Sequence, residues 1–157
     1  MSIRSIIARP APGGFAGRYV HSGGHPDRRV PVLLTTVQRL YGGDPGAAAR
    51  HYLDDHPAGW SRLGPAVPAP GGRPAPYEDP YAPPEQCYCH GRWSGPAQLI
   101  THDTADPLWH EWIYLLRPDG LEVIRTDWRK STRTEWASHL LPWNTDPAAP
   151  LPAALRA

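Results

Sequence analysis

Residues 111–125 read EWIYLLRPDGLEVIR, and this stretch decides how the chain folds. After Glu111, residues 112–116 are apolar at successive positions, which is typical of a strand buried on both faces of a sheet. Residues 117–120 supply the Pro, Asp and Gly of a tight turn, and a second strand follows through residue 125. The stretch therefore predicts a β-hairpin whose first strand lies centrally in a sheet.

Three more segments carry strand patterns. Residues 2–9 and 15–21 flank a loop rich in Pro and Gly, which predicts a second hairpin. Residues 86–92 read as a strand with both cysteines on one face and His90 on the other. Together with the 111–125 hairpin, these segments predict about five strands.

Three segments carry helix patterns. Residues 31–41 have apolar positions spaced by three and four, and the helix they predict ends at a Gly pair. Residues 44–55 begin with an Asp that is a suitable N-cap. Thr132 and Glu135 form a capping-box pattern for a short helix through residue 140.

The order of these elements predicts an α+β fold, with an antiparallel sheet of about five strands and two or three helices packed on one face. We assign residues 1–143 to this single domain. Residues 64–84 are rich in Pro and predict a loop with polyproline II character. Residues 144–157 are rich in Ala and Pro, and we expect them to form a loose tail.

Charge and composition exclude several classes of protein. The formal net charge of the 157 residues is +1, so no overall field attracts the chain to nucleic acid or to an anionic membrane. The apolar run at residues 3–7 is interrupted by Arg4 and Ser5 and is too short for a signal sequence or a membrane span. Without either feature, we expect a cytoplasmic protein with no membrane partner. Two cysteines are too few for a disulfide scaffold, so we expect reduced thiols.

The segment between the second strand and the first helix carries a family motif. It reads RYVHSGGHP over residues 18–26, and a WIYLL run follows much later at residues 112–116. This Tyr-x-His-x-x-Gly-x-Pro pattern before a helix resembles a set of small uncharacterised proteins of actinobacteria and their phages. The family pattern has Trp, Asp and Tyr where this chain has Ser22, Gly23 and His25. The resemblance implies a mobile-element or accessory context and no established reaction.

The same segment is the leading candidate for a ligand site. Arg28 and Arg29, just after it, stand at the mouth of a helix, where an anion can meet the helix N-terminus. Its Gly pair suits a turn and lacks the remaining residues of a Walker or dinucleotide-binding loop. We therefore interpret the chain as a non-catalytic binding protein that recognises another protein or a small anionic ligand through residues 19–29. The candidate ligand-binding residues are Tyr19, His21, His25, Arg28 and Arg29.

Cysteine and histidine residues provide an alternative function. Cys87 and Cys89 share one face of the predicted strand, and His21 and His25 would complete a tetrahedral zinc site across the sheet. Such a site would make the protein a metal-dependent or Cys/His hydrolase. The Cys-x-Cys spacing differs from the Cys-x-x-Cys of zinc knuckles, so buried thiols and no cofactor are the simpler interpretation.

Two other catalytic arrangements are less favoured. Either cysteine, with His21, His90 or His110 as the base, would form a thiol nucleophile, but no helix begins after it to lower the thiol pKa. The acidic and histidine residues of segment 102–111 fit a turn better than a catalytic pair, because Asp side chains cap local backbone and Pro fixes a bend.

A third function, nucleic-acid binding, depends on residues 125–133. This segment combines four cations with Trp128, and cations can hold phosphates while the ring stacks on a base. Asp127 and Glu135 partly cancel the charge of the patch. We therefore expect a solvated turn here, and nucleic acid is an unlikely partner.

Overall fold

The computed structural model describes residues 2–63, 85–90 and 95–156. Within these residues, eight strands form one mixed sheet. The strands are β1 (Ser5–Ala11), β2 (Gly14–Val20), β3 (Trp60–Arg62), β4 (Gln86–Cys87), β5 (Ile100–Thr101), β6 (Trp112–Arg117), β7 (Gly120–Arg125) and β8 (Ala137–Leu141). Two α-helices, α1 (Pro26–Thr35) and α2 (Pro45–Ala49), are each continued by a π-helical turn, at Thr36–Leu40 and Arg50–Asp54. Short 3-10 turns lie at Arg133–Glu135 and Ala153–Leu155. The predicted α+β class is confirmed.

The sheet has the strand order β4-β3-β2-β1-β6-β7-β8, with β5 paired to β2. The predicted hairpin is confirmed as β6 and β7, and β6 lies between β1 and β7. The expectation of a purely antiparallel sheet of about five strands is wrong, because β1 pairs with β6 in parallel and β2 pairs with β3 in parallel. The two helices lie between β2 and β3 and return the chain to the same end of the sheet, so β3 runs in the direction of β2.

Both faces of the sheet are covered, and both helices pack on the same face. Alternate residues of one strand point to opposite faces, so Ile7 and Tyr114 join a cluster with the helices while Ile6 and Ile113 join a second cluster. The second cluster is closed by loop side chains such as Trp136 and contains no residue of α1 or α2. Both helices therefore cover one face of the sheet, and loop side chains cover the other.

Two elements differ from their predicted form. Helix α1 begins at Pro26 rather than near residue 31, because the His25 side chain accepts a hydrogen bond from the Asp27 backbone N–H and caps the helix earlier. The capping box of Thr132 and Glu135 is present, but it closes only a 3-10 turn. After Trp136, the chain forms β8, because pairing with the open edge of β7 satisfies the backbone groups of these five residues.

The expected loose tail packs against the body of the protein instead. Gln38 Nε2 donates hydrogen bonds to the carbonyls of Trp143 and Thr145, at 2.7 and 2.6 Å. Leu155 is 3% exposed and belongs to the helix-side core. Apolar residues spaced along the Ala/Pro segment therefore anchor it, at least through residue 156. The predicted proline-rich loop, residues 64–84, lies outside the described residues.

None of the helices in the described part of the chain is long and apolar enough to cross a membrane.

Candidate metal centre

Two segments that are about thirty residues apart in sequence meet at the β3–β4 edge of the sheet. Trp60 of β3 pairs with Cys87 of β4, and the His56 ring packs on the Trp60 ring with centroids 4.5 Å apart. As a result, one ligand atom each from His56, Cys87 and Cys89 lies within 4.8 Å of the other two. All three residues are partly buried. We call these three residues the metal centre.

The backbone around the metal centre explains how the two cysteines point to one place. Strand β4 is two residues long, and the chain bends at residues 88–90. The Tyr88 N–H donates to the Gly59 carbonyl at 2.9 Å, and the Ala58 N–H donates to Cys89 Sγ at 3.2 Å. These two bonds hold the bend against the turn that carries His56.

The bend also corrects the predicted position of His90. A continuous strand over residues 86–92 would place His90 on the face opposite the cysteines. The strand ends at Cys87, and His90 Nδ1 lies 3.2 Å from Cys87 Sγ. The three-residue β3 offers a ladder too short to extend the pairing, so the chain is free to turn there.

Electrostatics shift the pKa values of two members of the metal centre towards the protonation states that metal ligation needs. Partial burial raises the pKa of the Cys87 thiol, but hydrogen bonds from His90 and from the Cys89 and His90 backbone outweigh it, and the net pKa is lowered. Burial lowers the pKa of His56, and the neighbouring His51 and His90 lower it further. A thiolate and a neutral imidazole are the forms that bind metal ions.

An acid and a base flank the metal centre. Glu85 Oε2 and His51 Nε2 are 2.9 Å apart, and the His51 ring lies 5.1 Å from the His56 ring between centroids. The hydrogen bond to Glu85 raises the pKa of His51 despite its partial burial. A protonated His51 beside His56 therefore favours the neutral form of the latter.

The donor set suits zinc more than the other common metals. Two sulfurs and one imidazole nitrogen form a soft, tetrahedral-type ligand set, whereas Ca²⁺ and Mg²⁺ prefer oxygen ligands. A fourth donor is needed for a closed tetrahedral site. His90, whose Nδ1 lies 3.2 Å from Cys87 Sγ, is one candidate among the described residues.

The predicted ligands His21 and His25 are not part of this group. His21 Nδ1 is hydrogen-bonded to the Tyr19 hydroxyl at 2.8 Å. The His25 side chain caps α1 and contacts Asp27 at 2.8 Å. The structure does not bring these two histidines together with the cysteines, because the His21 ring is bonded to the Tyr19 hydroxyl and the His25 side chain caps α1.

The predicted ligand-binding arginines differ from each other in exposure. Arg28 is exposed, whereas Arg29 is 2% exposed and donates from Nη2 to the Ser22 carbonyl at 2.6 Å. Tyr19 packs edge-on against the rings of His21 and His110. Segment 19–29 is therefore largely tied into the fold, and Arg29 is not available at its surface.

The remaining candidates have structural partners. Arg129 forms a two-bond ion pair with Asp127, and that pair lowers the pKa of Asp127 to about 2. Arg133 donates to two backbone carbonyls. His110 Nδ1 accepts the Asp106 backbone N–H at 3.0 Å, which is the turn contact expected for segment 102–111. Because these side chains already have partners within the protein, the contacts disfavour nucleic-acid binding by segment 125–133 and acid-base catalysis by segment 102–111.

Sequence reasoning missed His56. It lies in an Asp-Asp-His-Pro turn with no motif spacing to the cysteines, and the Trp60–Cys87 pairing that brings it to them is a long-range property of the sheet. A search with family models, with curated proteins and with solved structures finds no match to this chain.

Proposed function

We propose that this protein binds one zinc ion through His56, Cys87 and Cys89. The observation that carries the proposal is the convergence of their three ligand atoms within 4.8 Å from two separate segments. His56 Nδ1 adds support, because it is buried without a hydrogen-bond partner among the described residues. A buried imidazole nitrogen without a partner is unfavourable unless a ligand or water satisfies it.

The proposed role of the ion is to fasten the edge of the sheet. Strand β3 pairs with β2 at a single position, and β4 pairs with β3 at two positions with a register shift. Pairing as short as this is marginal by itself in water. An ion bonded to both segments would supply the missing cohesion, so we propose a structural zinc that supports a binding protein.

A hydrolytic role is the second candidate, and it is favoured by one contact. The 3.2 Å approach of Cys87 Sγ to His90 Nδ1, together with the lowered pKa of Cys87, is also the arrangement of a thiol nucleophile and its base. The thiol would then be free rather than bound to metal. Zinc content separates the two roles.

The test is the metal content of the purified, untagged protein by elemental mass spectrometry. We expect one zinc per chain, retained in His21→Ala and lost in Cys87→Ser, Cys89→Ser and His56→Ala. Cobalt substitution should then give thiolate-to-metal charge-transfer absorption from the same site. The proposal is wrong if the wild-type protein holds no zinc at equilibrium with micromolar zinc, or if His21→Ala removes as much metal as His56→Ala.

Hydrogen exchange tests the structural role separately. Chelation should raise amide exchange at residues 60–62 and 86–90, while the central strand β6 stays protected. A zinc-bound protein whose edge exchanges at the same rate after chelation would contradict a fastening role and would favour a catalytic ion.

A further inference from the structure

Cys87 and Cys89, the two sulfur ligands of the metal centre, are also close enough to each other for a second kind of chemistry. Their Sγ atoms lie within 4.8 Å of each other, and a disulfide needs them about 2.05 Å apart. In a fully extended strand, residues two apart point to the same face with Cα atoms about 6.6 Å apart, near the upper limit for a disulfide. The chain bends at residues 88–90, so Cys89 lies outside the extended strand that would hold the pair at this limit.

Both sulfurs are accessible to a small reagent, and Cys87 is the more accessible of the two. Each cysteine is half-buried and free of a disulfide. The contact of Cys87 Sγ with His90 Nδ1 lies at the surface, whereas the contact of Cys89 Sγ with the Ala58 N–H is partly buried. An external oxidant therefore reaches Cys87 first, and Cys89 is placed to react with the product.

A zinc ion and a disulfide would join different parts of the chain. An ion on the metal centre ties segment 85–90 to the turn that carries His56. A disulfide between residues 87 and 89 closes a loop within segment 85–90 alone and attaches nothing to β3. Oxidation would thus remove two of the three ligands and leave the sheet edge with only its short strand pairing.

We propose that Cys87 and Cys89 form a redox modification site, at which hydrogen peroxide converts the two thiolates into a disulfide, releases the zinc ion and loosens the β3–β4 edge. This inference rests on the proposed zinc site and adds its regulation. A dithiol reductant reverses the modification by thiol–disulfide exchange, and the two thiolates then bind the ion again.

The chemistry takes place in two balanced steps. The Cys87 thiolate attacks one peroxide oxygen, the O–O bond breaks, and a sulfenic acid forms as hydroxide leaves. The Cys89 thiolate then attacks the Cys87 sulfur, so that the S–S bond forms, the S–O bond breaks and a second hydroxide leaves. The two sulfurs lose two electrons, the two peroxide oxygens gain them, and two protons from the solvent convert the hydroxides into water.

The experiment adds a small excess of hydrogen peroxide to the zinc-loaded, full-length protein. A chromogenic chelator measures released zinc, iodoacetamide labelling measures free thiols, and mass spectrometry measures the intact mass. We expect release of the bound zinc, loss of both free thiols and a mass lower by two hydrogen atoms, all reversed by dithiothreitol and added zinc. The sequence has two cysteines, so every change in thiol content reports on this pair.

Two variants separate the steps of the proposal. His56→Ala keeps both cysteines and lacks the third ligand, so peroxide should form the same disulfide without zinc release. In the wild-type protein, oxidation should raise amide exchange at residues 60–62 and 86–90 to the level of His56→Ala, while β6 stays protected. In Cys89→Ser, the reaction should stop at a sulfenic acid on Cys87, which dimedone traps as an adduct.

Several results would overturn the proposal. These are retention of both thiols and of zinc in peroxide, addition of oxygen to the sulfurs without loss of two hydrogens, disulfides between two chains, and a disulfide that forms while zinc stays bound. A zinc-bound protein that gives one of these results contradicts the redox proposal alone. A protein that holds no zinc before peroxide contradicts the zinc proposal, and its intact mass after peroxide still decides whether the two cysteines pair.

Discussion

Gly59 links the metal centre to the rest of the sheet, and Gly59→Ala is expected to weaken both the fold and the metal site. Gly59 has a φ of +85° and its carbonyl accepts the Tyr88 N–H between the two cysteines. A Cβ at this position would lie 2.8 Å from the Tyr19 carbonyl oxygen on β2. The substitution therefore strains the backbone and pushes the His56 turn away from its neighbours.

The magnitude follows from these two effects. A non-glycine residue in the left-handed region costs about 1–2 kcal/mol. Restoring ordinary contact with the Tyr19 oxygen needs a shift of about 0.6 Å, enough to weaken one of the bonds from His21 and Ser22 to β3 at about 1 kcal/mol. The expected loss of unfolding free energy is about 2–3 kcal/mol, or roughly 5–10 °C in Tm for a chain of this size.

Gly43→Ala is the matched control for this prediction. Gly43 has a φ of +87°, but a Cβ there meets nothing within 4 Å. It should lose only the backbone contribution, about 1–2 kcal/mol, and keep its zinc affinity. Urea unfolding followed by tryptophan fluorescence measures both variants, and competition with a chelator measures zinc affinity, which should fall at least tenfold in Gly59→Ala. Equal losses in the two variants, or unchanged zinc affinity in Gly59→Ala, would refute the reasoning.

Three further predictions concern the ligands and the docked tail. His56→Cys should keep one zinc per chain, because thiolate is an equally good ligand. Because burial lowers the pKa of His56, the wild-type protein should hold zinc below pH 6.5 and release it only as the pH falls further. Elemental analysis across pH measures the zinc content of both proteins. In metal-free protein, Cys87 should react with iodoacetamide at pH 7 faster than a model thiol, and His90→Ala should slow that reaction towards the model rate, since the His90 hydrogen bond lowers the thiol pKa; an unchanged rate contradicts this. Gln38→Ala should raise amide exchange at Leu155 while leaving the β6–β7 hairpin protected, because the two tail carbonyls lose their donor; equal protection at Leu155 in both proteins would show that the tail is held by other contacts.

The elements that the sequence predicts correctly are those set by local chemistry. The Pro-Asp-Gly turn fixes the register of the β6–β7 hairpin, in which Arg117 pairs with Gly120. The strand-pairing errors concern partners that lie far apart in the chain, such as β1 with β6, which no local pattern encodes. Long-range pairing also overrides the local pattern after Glu135. The capping box is present as predicted, but a strand follows it because the β7 edge is open for pairing.

Part of the candidate site can be predicted from the sequence for a related reason. The Cys-x-Cys pattern indicates Cys87 and Cys89 as candidate ligands, because residue type alone suggests metal ligation. The proposed third ligand, His56, lies in the turn before β3, and nothing in the sequence ties that turn to the cysteines. His21 and His25 are chemically plausible ligands, but the His21 ring is hydrogen-bonded to the Tyr19 hydroxyl and the His25 side chain caps α1.

Segment 85–90 is held in place by its side chains more than by its ladder. Two ladder pairs join it to β3, and this is less than a free-standing hairpin needs. The other contacts include the Tyr88 N–H bond to the Gly59 carbonyl, the Glu85 bond to His51 and the contacts of the two cysteines with their neighbours. A thiol is a weak hydrogen-bonding partner, so two of these contacts are weak as long as the cysteines stay protonated. Ligation of the proposed ion would convert the same two sulfurs into strong attachments, and for this reason the placement of the segment supports the zinc proposal.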